Sequence, residues 1–154
     1  MICPICERGK VGVGNSYVHC PAYGLVHMSH CTKDKCPYHR NCLEGLAAGP
    51  AIEERWGKKG IELADRKEVW EMEAFYIGQA IVDYIVILSP QRIILGGGVM
   101  HQEHMMPLVR EEVKRQLSGY IQTKELEDLD SYIVLPSLND NQGIMGALKL
   151  AMDE

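Results

Sequence analysis

The chain has 154 residues, of which 46% are hydrophobic and 24% are charged, and its formal net charge is −5. These values are ordinary for one globular domain, and they exclude the strongly basic surface that binds nucleic acid. There is no run of 18 apolar residues, so we expect no nucleic-acid partner and no membrane insertion. The first ten residues, MICPICERGK, contain no apolar signal-peptide core, which favours a cytoplasmic location.

Residues 1–42 are rich in cysteine and histidine and show little helical periodicity. All six cysteines and four of the six histidines lie there. Cysteines mixed with histidines at short spacing in a reducing compartment indicate metal binding rather than disulfides. The Cys3-x-x-Cys6 pair has ligand spacing, but it is equally compatible with a redox pair or with chance. It does not stand between a strand and a helix, which argues against a thioredoxin-type role.

A glycine cluster, GKVGVGN, contains Gly9, Gly12 and Gly14. It lacks the terminal Gly-Lys-Ser/Thr of a Walker loop, so by itself it indicates only a turn or a phosphate-binding loop.

The segment Cys36-Pro37-Tyr38-His39-Arg40-Asn41-Cys42 is the sharpest short motif, with three possible metal ligands within seven residues. Zinc prefers four nitrogen and sulfur ligands in a tetrahedron, and such soft donors select it over magnesium. The candidates for the fourth ligand are His27, His30 and Cys31. We favour His27, because a ligand farther upstream closes a loop without straining a turn. Four filled positions indicate a structural zinc; the alternative is a loop of unligated cysteines.

The second region begins with LEGLAAGPAIEERWG, which predicts a short helix, a break, and a second helix starting near Pro50. A long helix is predicted from about Arg66 to Leu88, ended by Ser89–Pro90. Its apolar stripe is expected to be Trp70, Ala74, Ile77, Ile81, Tyr84 and Leu88.

Two short buried strands are predicted, at Ile93–Leu95 and at Tyr132–Leu135. A helix over 104–118 should end at Gly119, and a loop at Asn139–Asp140 and Gly143 should precede a final helix, Ile144–Met152. Strands separated by helices predict an α/β fold with a mostly parallel sheet.

The first of these strands runs into Gly96–Gly97–Gly98. Open α/β sheets bind ligands at the carboxyl ends of their strands, and glycines let a ligand approach the backbone. A nucleotide is therefore plausible at Gly96–Met100, although a tightly packed turn without a ligand is the alternative.

Three stretches carry a family resemblance: CPYHRNCLEGLAAGPAIEERWG, YIGQAIVDYIVILSPQRIILGGGVM and YIVLPSLNDNQGIMGALKLA. Together they cover about residues 36–152, and they resemble the zinc-containing fructokinase branch of the ROK family of sugar kinases. The resemblance implies the C-terminal lobe of the actin/hexokinase-like (ribonuclease H-like) ATPase superfamily. It also implies transfer of the γ-phosphate of ATP, with Mg²⁺, to a hexose, typically fructose to fructose 6-phosphate.

The resemblance also implies roles for individual residues. Cys36, His39 and Cys42 match the zinc ligands of the family, and Glu44 matches a carboxylate that hydrogen-bonds sugar hydroxyls. Gly96, Gly97 and Gly98 match its nucleotide-contacting turn. The loop with Gly12 and Gly14 looks like a remnant of the family's phosphate-side glycine loop.

The match weakens upstream of residue 36. The family has a His-Pro-Glu-x-Gly-His stretch, whereas this chain has His-Cys-Pro-Ala-Tyr-Gly-Leu over residues 19–25. Ala22 replaces the sugar-binding Glu and Leu25 replaces the first zinc ligand, for which His27 would substitute from two residues away. We therefore divide the chain into a degenerate phosphate-loop and metal-loop region, 1–35, and a kinase lobe, 36–154.

No residue matches the family's catalytic Asp, the general base carried by its N-terminal lobe. Asp83 is predicted to lie in the long helix, and Asp140 is predicted to cap the last one. The chain is thus expected to correspond to the C-terminal portion of a kinase, to be inactive alone, and to form a homodimer through apolar surface. The alternatives are a non-catalytic zinc-stabilised module, for nucleotide binding or dimerisation, and a gene remnant. A repressor of the same family is disfavoured because no helix-turn-helix is found.

Overall fold

The structure is a computed structural model that describes residues 10–11, 17–20, 24–27, 42–138 and 141–153. The chain divides into two compact units, Met1–Tyr76 and Ile77–Glu154. The boundary between them falls inside the longest helix, and each unit is described by itself below. The predicted boundary between residues 35 and 36 lies outside the described residues and stays a prediction.

The first unit contains a three-stranded antiparallel sheet in the order β1-β2-β3. Its strands are β1 (Lys10–Val11), β2 (Tyr17–Cys20) and β3 (Gly24–His27). In the β2–β3 register, Tyr17 stands opposite His27. The backbone of the favoured fourth zinc ligand is therefore the last position of a hairpin strand.

Two short helices follow, α1 (Leu43–Ala47) and α2 (Gly49–Trp56). Ala48 is extended, with φ −97° and ψ 157°, and separates them. Pro50 stands in the first turn of α2, where its missing N–H costs nothing. Gly57 ends α2 with φ 70° and donates its N–H to the carbonyl of Glu53 at 2.8 Å. The predicted helix, break and helix are confirmed.

A 3₁₀ turn at Gly60–Leu63 leads into α3 (Lys67–Leu88). Within the first unit, the indole Nε1 of Trp70 donates to the carbonyl of Leu63 at 2.9 Å, so the polar atom of this buried ring is satisfied. The buried apolar residues of this unit are Leu46, Ala51, Ile52, Leu63, Val69, Trp70, Met72, Ala74 and Tyr76.

The predicted extent of α3 is confirmed to within one residue, and the helix stops at Ser89, whose φ is 44°, before Pro90. The predicted apolar stripe is wrong in its second half. Tyr84 and Leu88 are 48% and 67% exposed, whereas Ile81 and Ile85 are buried. In a helix with 3.6 residues per turn, a step of four residues rotates slightly past a full turn and a step of three falls short of one. After Ile81, the buried face continues at Ile85, four residues later, and not at Tyr84, three residues later.

The second unit contains β4 (Ile93–Ile94) and β5 (Ile133–Val134), a parallel pair in which Ile93 stands opposite Ile133. Between them lie a 3₁₀ turn at Gly98–His101, helix α4 (Met105–Leu117), a second turn at Lys124–Glu127 and the single turn α5 (Leu129–Tyr132). The predicted helix over 104–118 is confirmed nearly to the residue. It ends at Ser118 and Gly119, both with positive φ.

The strands are shorter and less buried than predicted. Tyr132 belongs to α5 rather than to β5, Leu135 is 48% exposed and Ile94 is 62% exposed. Successive side chains of a strand point to opposite faces, and Ile94 lies on the face opposite to that of Ile93. Among the described strands only β4 and β5 are parallel, and the prediction of a mostly parallel sheet holds for that pair alone.

The last helix, α6 (Gln142–Met152), begins two residues before the predicted start and includes Gly143. Residues 139 and 140 lie outside the described part of the chain. None of the helices in the described part of the chain has the length and apolarity needed to cross a membrane.

Candidate functional site

The glycine turn follows β4 directly, as predicted. Gly97 has φ 99°, a region that L-residues with a side chain rarely adopt, and its carbonyl accepts the N–H of Met100 at 3.0 Å. Gly96, Gly97 and Gly98 are all exposed. The turn therefore presents bare backbone at the carboxyl end of a parallel strand, where nucleotides bind in open α/β sheets.

The loop after the neighbouring strand reaches the same place. A Cβ added to Gly96 would stand 2.8 Å from Nε2 of Gln142 and 3.5 Å from Cγ of Pro136. Pro136 follows β5, and Gln142 is the first residue of α6. The N–H of Leu95 donates to the carbonyl of Val134 at 2.9 Å, which extends the pairing of the two strands toward this edge. The two loops thus meet at Gly96.

Sequence reasoning did not single out Gln142 or Pro136. The only available signal was that Gln142 precedes Gly143 at the start of the last apolar pattern. That signal places Gln142 in the chain but does not place it beside Gly96.

Arg110 supports this edge from α4. Its Nη2 donates to the carbonyls of Ile133 at 2.7 Å and Asp130 at 2.9 Å, and its Nη1 lies 2.7 Å from the Asp130 carboxylate. Charge-assisted hydrogen bonds of this kind are stronger than neutral ones. They fasten the start of β5 to α4 and thereby fix where the loop after β5 begins. Sequence reasoning missed this residue.

In the first unit, Cys42 and Glu44 lie at the start of α1. Cys42 is extended, with φ −75° and ψ 161°, and its carbonyl accepts the N–H of Leu46 at 3.1 Å. The thiol of Cys42 is free and half-buried, and the side chain of Glu44 is exposed. Glu44 is therefore accessible to a polar ligand, and Cys42 stands two residues before it.

The remaining predicted zinc and phosphate residues are not described. Cys36, His39, Gly12 and Gly14 lie outside the described residues, and only the backbone of His27 is placed. Within the described residues, no group of three or more His, Cys, Asp or Glu side chains could hold a metal ion. The zinc prediction therefore stays a prediction. The donor types in the segment from Cys36 to Cys42 fit zinc, and Cys42 is unpaired.

A buried ion pair lies behind α1, and sequence reasoning missed it. The side chains of Arg55 and Glu73 are 1% and 0% exposed, and Nη1 of Arg55 donates to Oε1 of Glu73. Nη2 of Arg55 donates to the carbonyl of Leu46 at 2.6 Å, and the guanidinium lies 5.3 Å from the ring centroid of Tyr76. The signal in the sequence was Glu73 itself, a charge three residues after Trp70 on the predicted apolar side of α3.

Burial sets the protonation behaviour of this pair. Desolvation raises the pKa of Glu73 to about 7, against the smaller opposing attraction of the Arg55 guanidinium. Oε2 of Glu73 and Nε of Arg55 have no hydrogen-bond partner among the described residues. Such a pair is costly to bury, and it is unlike the exposed pairs elsewhere, such as Lys67–Glu71 at 3.0 Å.

The described residues hold no obvious general base. Asp83 lies on α3, as predicted, and its side chain is exposed, whereas Asp140 lies outside the described residues. Among the described acidic residues only Glu73 is buried, and Arg55 occupies one of its oxygens.

Comparison with known proteins supplies the family. The ROK family profile matches residues 5–154. A putative fructokinase of Bacillus subtilis (strain 168) is 49% identical over 126 residues, which cover 81% of this chain and 42% of the relative. A fructokinase of Streptococcus mutans serotype c is 44% identical over 144 residues, covering 93% of this chain and 47% of that protein.

A fructokinase of Pediococcus pentosaceus is 47% identical over 119 residues, covering 77% of this chain and 40% of the relative. The chain therefore spans less than half the length of these curated relatives. The family profile, however, covers nearly all of the chain. The chain belongs to the ROK family, and this membership implies the actin/hexokinase-like ATPase fold.

Proposed function

We propose that the chain is the C-terminal lobe of a fructokinase. In the whole enzyme it helps to transfer the γ-phosphate of ATP to a hexose, with fructose giving fructose 6-phosphate as the preferred reaction. The observation that carries the proposal is the meeting of the Gly96–Gly98 turn with the first residue of α6, at the carboxyl edge of β4 and β5. The similar proteins described as fructokinases support the choice of reaction.

The nucleotide is proposed to bind at that edge as its Mg²⁺ complex. Gly97 offers backbone without a side chain, and the exposed Gly98 begins a helical turn whose first N–H groups have no partner within the turn. Nε2 of Gln142 supplies a neutral donor beside Gly96. Backbone N–H groups donate hydrogen bonds to phosphate oxygens, so this kind of contact needs few charged side chains.

The sugar is proposed to bind at Glu44. An ionised carboxylate accepts hydrogen bonds from two hydroxyls at once, which suits a polyol and gives no advantage to an apolar ligand. The Glu44 side chain is exposed at the start of α1 and is therefore free to make these contacts.

A structural zinc is proposed to be held by Cys36, His39, Cys42 and His27. Three of these donors lie within seven residues of sequence. A zinc site with four protein ligands stabilises and orders its loop, and it has no open position at which a substrate could react. Its position immediately before Glu44 means that zinc would order the approach to the sugar carboxylate. Zinc analysis of the purified protein against a Cys42→Ser variant tests this: equal zinc content in both would remove Cys42 from the ligand set.

The chain alone is proposed to bind substrates without turning them over. Phosphoryl transfer to a hydroxyl needs a base within hydrogen-bond reach of it. The one buried carboxylate among the described residues, Glu73, is paired with Arg55. This same observation favours the second candidate function, a non-catalytic zinc-stabilised module that binds nucleotide.

A coupled assay of ADP release, with Mg-ATP and fructose, tests the catalytic part. We expect no sugar-dependent turnover from the folded chain. Turnover that follows the protein through purification would place a general base within this chain, and it would overturn the proposal that the chain alone is inactive.

Calorimetric titration tests the binding part. We expect Mg-ADP and fructose to bind, with Gly97→Ala weakening nucleotide binding. Gly119→Ala is the matched control, because Gly119 also has positive φ, at 75°, and lies in the turn after α4. Nucleotide binding without fructose binding would favour the non-catalytic module. If neither ligand binds to a folded sample, both the kinase-lobe function and the nucleotide-binding module are contradicted.

We also propose that the protein forms a homodimer. Exposed large apolar side chains are numerous among the described residues, including Val86, Ile87, Ile94 and Leu150. Apolar surface of this kind often marks association. Sedimentation velocity that shows a single monomeric species at micromolar concentration would overturn this.

A further inference from the structure

We propose that the buried Arg55–Glu73 pair is a positioning device that holds α1, and with it Cys42 and Glu44, in place for the sugar. This inference rests on the proposed function for the role of Glu44. The part that concerns the geometry of α1 stands on contacts within the first unit.

The need for such a device comes from Pro50. In a continuous helix the carbonyl of Leu46 would accept the N–H of residue 50, four positions later. Residue 50 is proline and has no N–H, and Ala48 is already extended. The carbonyl of Leu46, a buried residue, therefore depends on a donor from elsewhere in the chain.

Arg55 supplies that donor. Its Nη2 donates to the Leu46 carbonyl at 2.6 Å, while its Nη1 is held by the carboxylate of Glu73 on α3. The peptide of Leu46 continues the path on its other side, because its N–H donates to the carbonyl of Cys42 at 3.1 Å. A continuous series of hydrogen bonds therefore runs from α3 through Arg55 and Leu46 to the residue that precedes α1.

Helix α1 cannot hold its own shape. It has five residues, far fewer than an isolated helix needs to be stable in water. Its inner side packs through Leu46 and Ala47 in a cluster with Met72, Tyr76, Phe75 and Trp56. Its outer side carries the exposed Glu44. The Arg55 contact is the polar restraint on its backbone, and it fixes the rotation that apolar packing alone leaves loose.

Stability does not explain the pair. Replacing a buried ion pair by apolar residues of similar volume is often neutral or stabilising. Here the pair also leaves Oε2 of Glu73 and Nε of Arg55 without partners among the described residues. An apolar pair would remove that penalty, but it could not donate to the Leu46 carbonyl. What the pair provides, and what its replacement lacks, is therefore the restraint on α1.

Three variants separate positioning from stability. In Arg55→Met/Glu73→Leu the volume is kept and the donor is lost. In Glu73→Gln the side-chain amide oxygen still accepts from Arg55, so the donor stays in place. Glu71→Gln removes an exposed pair with Lys67 on the same helix and serves as the control.

Hydrogen exchange of peptides that cover residues 42–48 is the primary readout, since it needs no ligand. Loss of a charge-assisted hydrogen bond should speed exchange in α1 about tenfold in the double variant. Peptides from α4 serve as the reference and should be unchanged. Glu73→Gln and Glu71→Gln should exchange at the rate of the unmodified chain. Unchanged exchange of α1 in a folded double variant would overturn the proposal.

Fructose and Mg-ADP affinities of the same proteins give the second readout. We expect the double variant to bind fructose about tenfold more weakly, with nucleotide affinity retained. An equal loss of both affinities would indicate general damage and would overturn the positioning role. If the unmodified chain binds no fructose while the exchange result holds, the proposed sugar site fails and the restraint on α1 stands.

Discussion

Helices α4 and α6 lie in the same unit and carry similar amphipathic patterns, yet their apolar faces have opposite fates. Along α4, Met105, Met106, Val109, Val113 and Leu117 are all buried. Helix α6 has no buried residue, and Ile144, Met145, Leu148, Leu150 and Met152 are between 47% and 82% exposed. A helical pattern therefore predicts that a helix forms and which face is apolar. It does not predict whether anything covers that face.

The polar sides of the two helices differ in the same sense. Arg110 of α4 reaches out of its helix to Asp130 and to the Ile133 carbonyl. The ion pair of α6, Lys149–Asp153, is local, because Asp153 is the residue that directly follows the helix. Helix α4 is thus joined to the strand pair through side chains on its polar face, whereas this ion pair joins α6 only to its own end.

The largest expected effect tests burial directly with one substitution at two places. Met105→Ala should destabilise the protein by about 2–5 kcal/mol, because Met105 is 0% exposed and its removal leaves a cavity. Met145→Ala, at 47% exposure on α6, should cost under about 1 kcal/mol. Urea unfolding followed by circular dichroism measures both. Equal costs would mean that the apolar face of α6 is covered in solution.

A buried ionisable group makes the free energy of unfolding depend on pH, and Glu73 extends the comparison of burial to α3. The pKa of Glu73 is raised from 4.5 to about 7 in the folded chain by desolvation. Between these values the folded state holds a proton that the unfolded state has lost. The stability contributed by this group is therefore full below about pH 4.5 and disappears as the pH rises through about 7.

The measurement is the free energy of unfolding of the unmodified chain and of Glu73→Gln across that range. Between pH 4.5 and pH 7, the unmodified chain should lose about 3 kcal/mol of stability relative to Glu73→Gln. A constant difference would show that Glu73 stays ionised and is fully compensated by Arg55.

The polar sides of α4 and α6 give the next effect in size. Arg110→Met should cost about 1.5–3 kcal/mol, because the buried carbonyl of Ile133 loses charged donors. Lys149→Met removes an exposed pair and should cost under about 0.5 kcal/mol. Thermal unfolding of both variants at low and high salt is the check. A comparable loss of stability in the two variants would contradict the view that Arg110 joins α4 to the strand pair while the Lys149 pair is only local.

The smallest effect concerns the turn that precedes α4. Gly97→Ala should cost about 1 kcal/mol, because only Gly97 of the three glycines has positive φ. Gly98→Ala meets no atom within 4 Å and should be close to neutral. Chemical denaturation of the two variants side by side decides this, and a larger loss for Gly98→Ala would place the strained residue elsewhere in the turn.

Much of the fold was predictable, because local rules govern helix ends. Pro50, Ser89–Pro90 and Gly119 marked helix boundaries that the structure confirms within a residue or two. The glycine turn after β4 was also predictable, since its signal is contained in three consecutive residues. Exposure of Tyr84 and Leu88 was not predictable, because a stripe of apolar residues on a helix has two edges and only contacts decide which edge is covered.

The candidate site divides in the same way. The residue types at Cys36, His39, Cys42, Glu44 and Gly96–Gly98 carry their chemistry in the sequence, and short spacing and family resemblance are sufficient to point to them. Gln142, Arg110, Arg55 and Glu73 were missed. Gln142, Arg110 and the Arg55–Glu73 pair make contacts with residues 18 or more positions away along the chain, and Glu73, a charge on the apolar side of α3, was the one signal of them in the sequence.

By itself, the sequence determined the helix boundaries and the glycine turn, because these depend on residues near one another along the chain. It also determined membership of the ROK family, because the residue pattern over residues 5–154 matches that family. Only the tertiary structure decided that Gln142 meets Gly96, that Arg55 donates to the carbonyl of Leu46, and that α4 is covered while α6 is not. The physical reason is that burial and hydrogen bonding between distant segments depend on packing, and the same amphipathic pattern is compatible with a covered face or an open one.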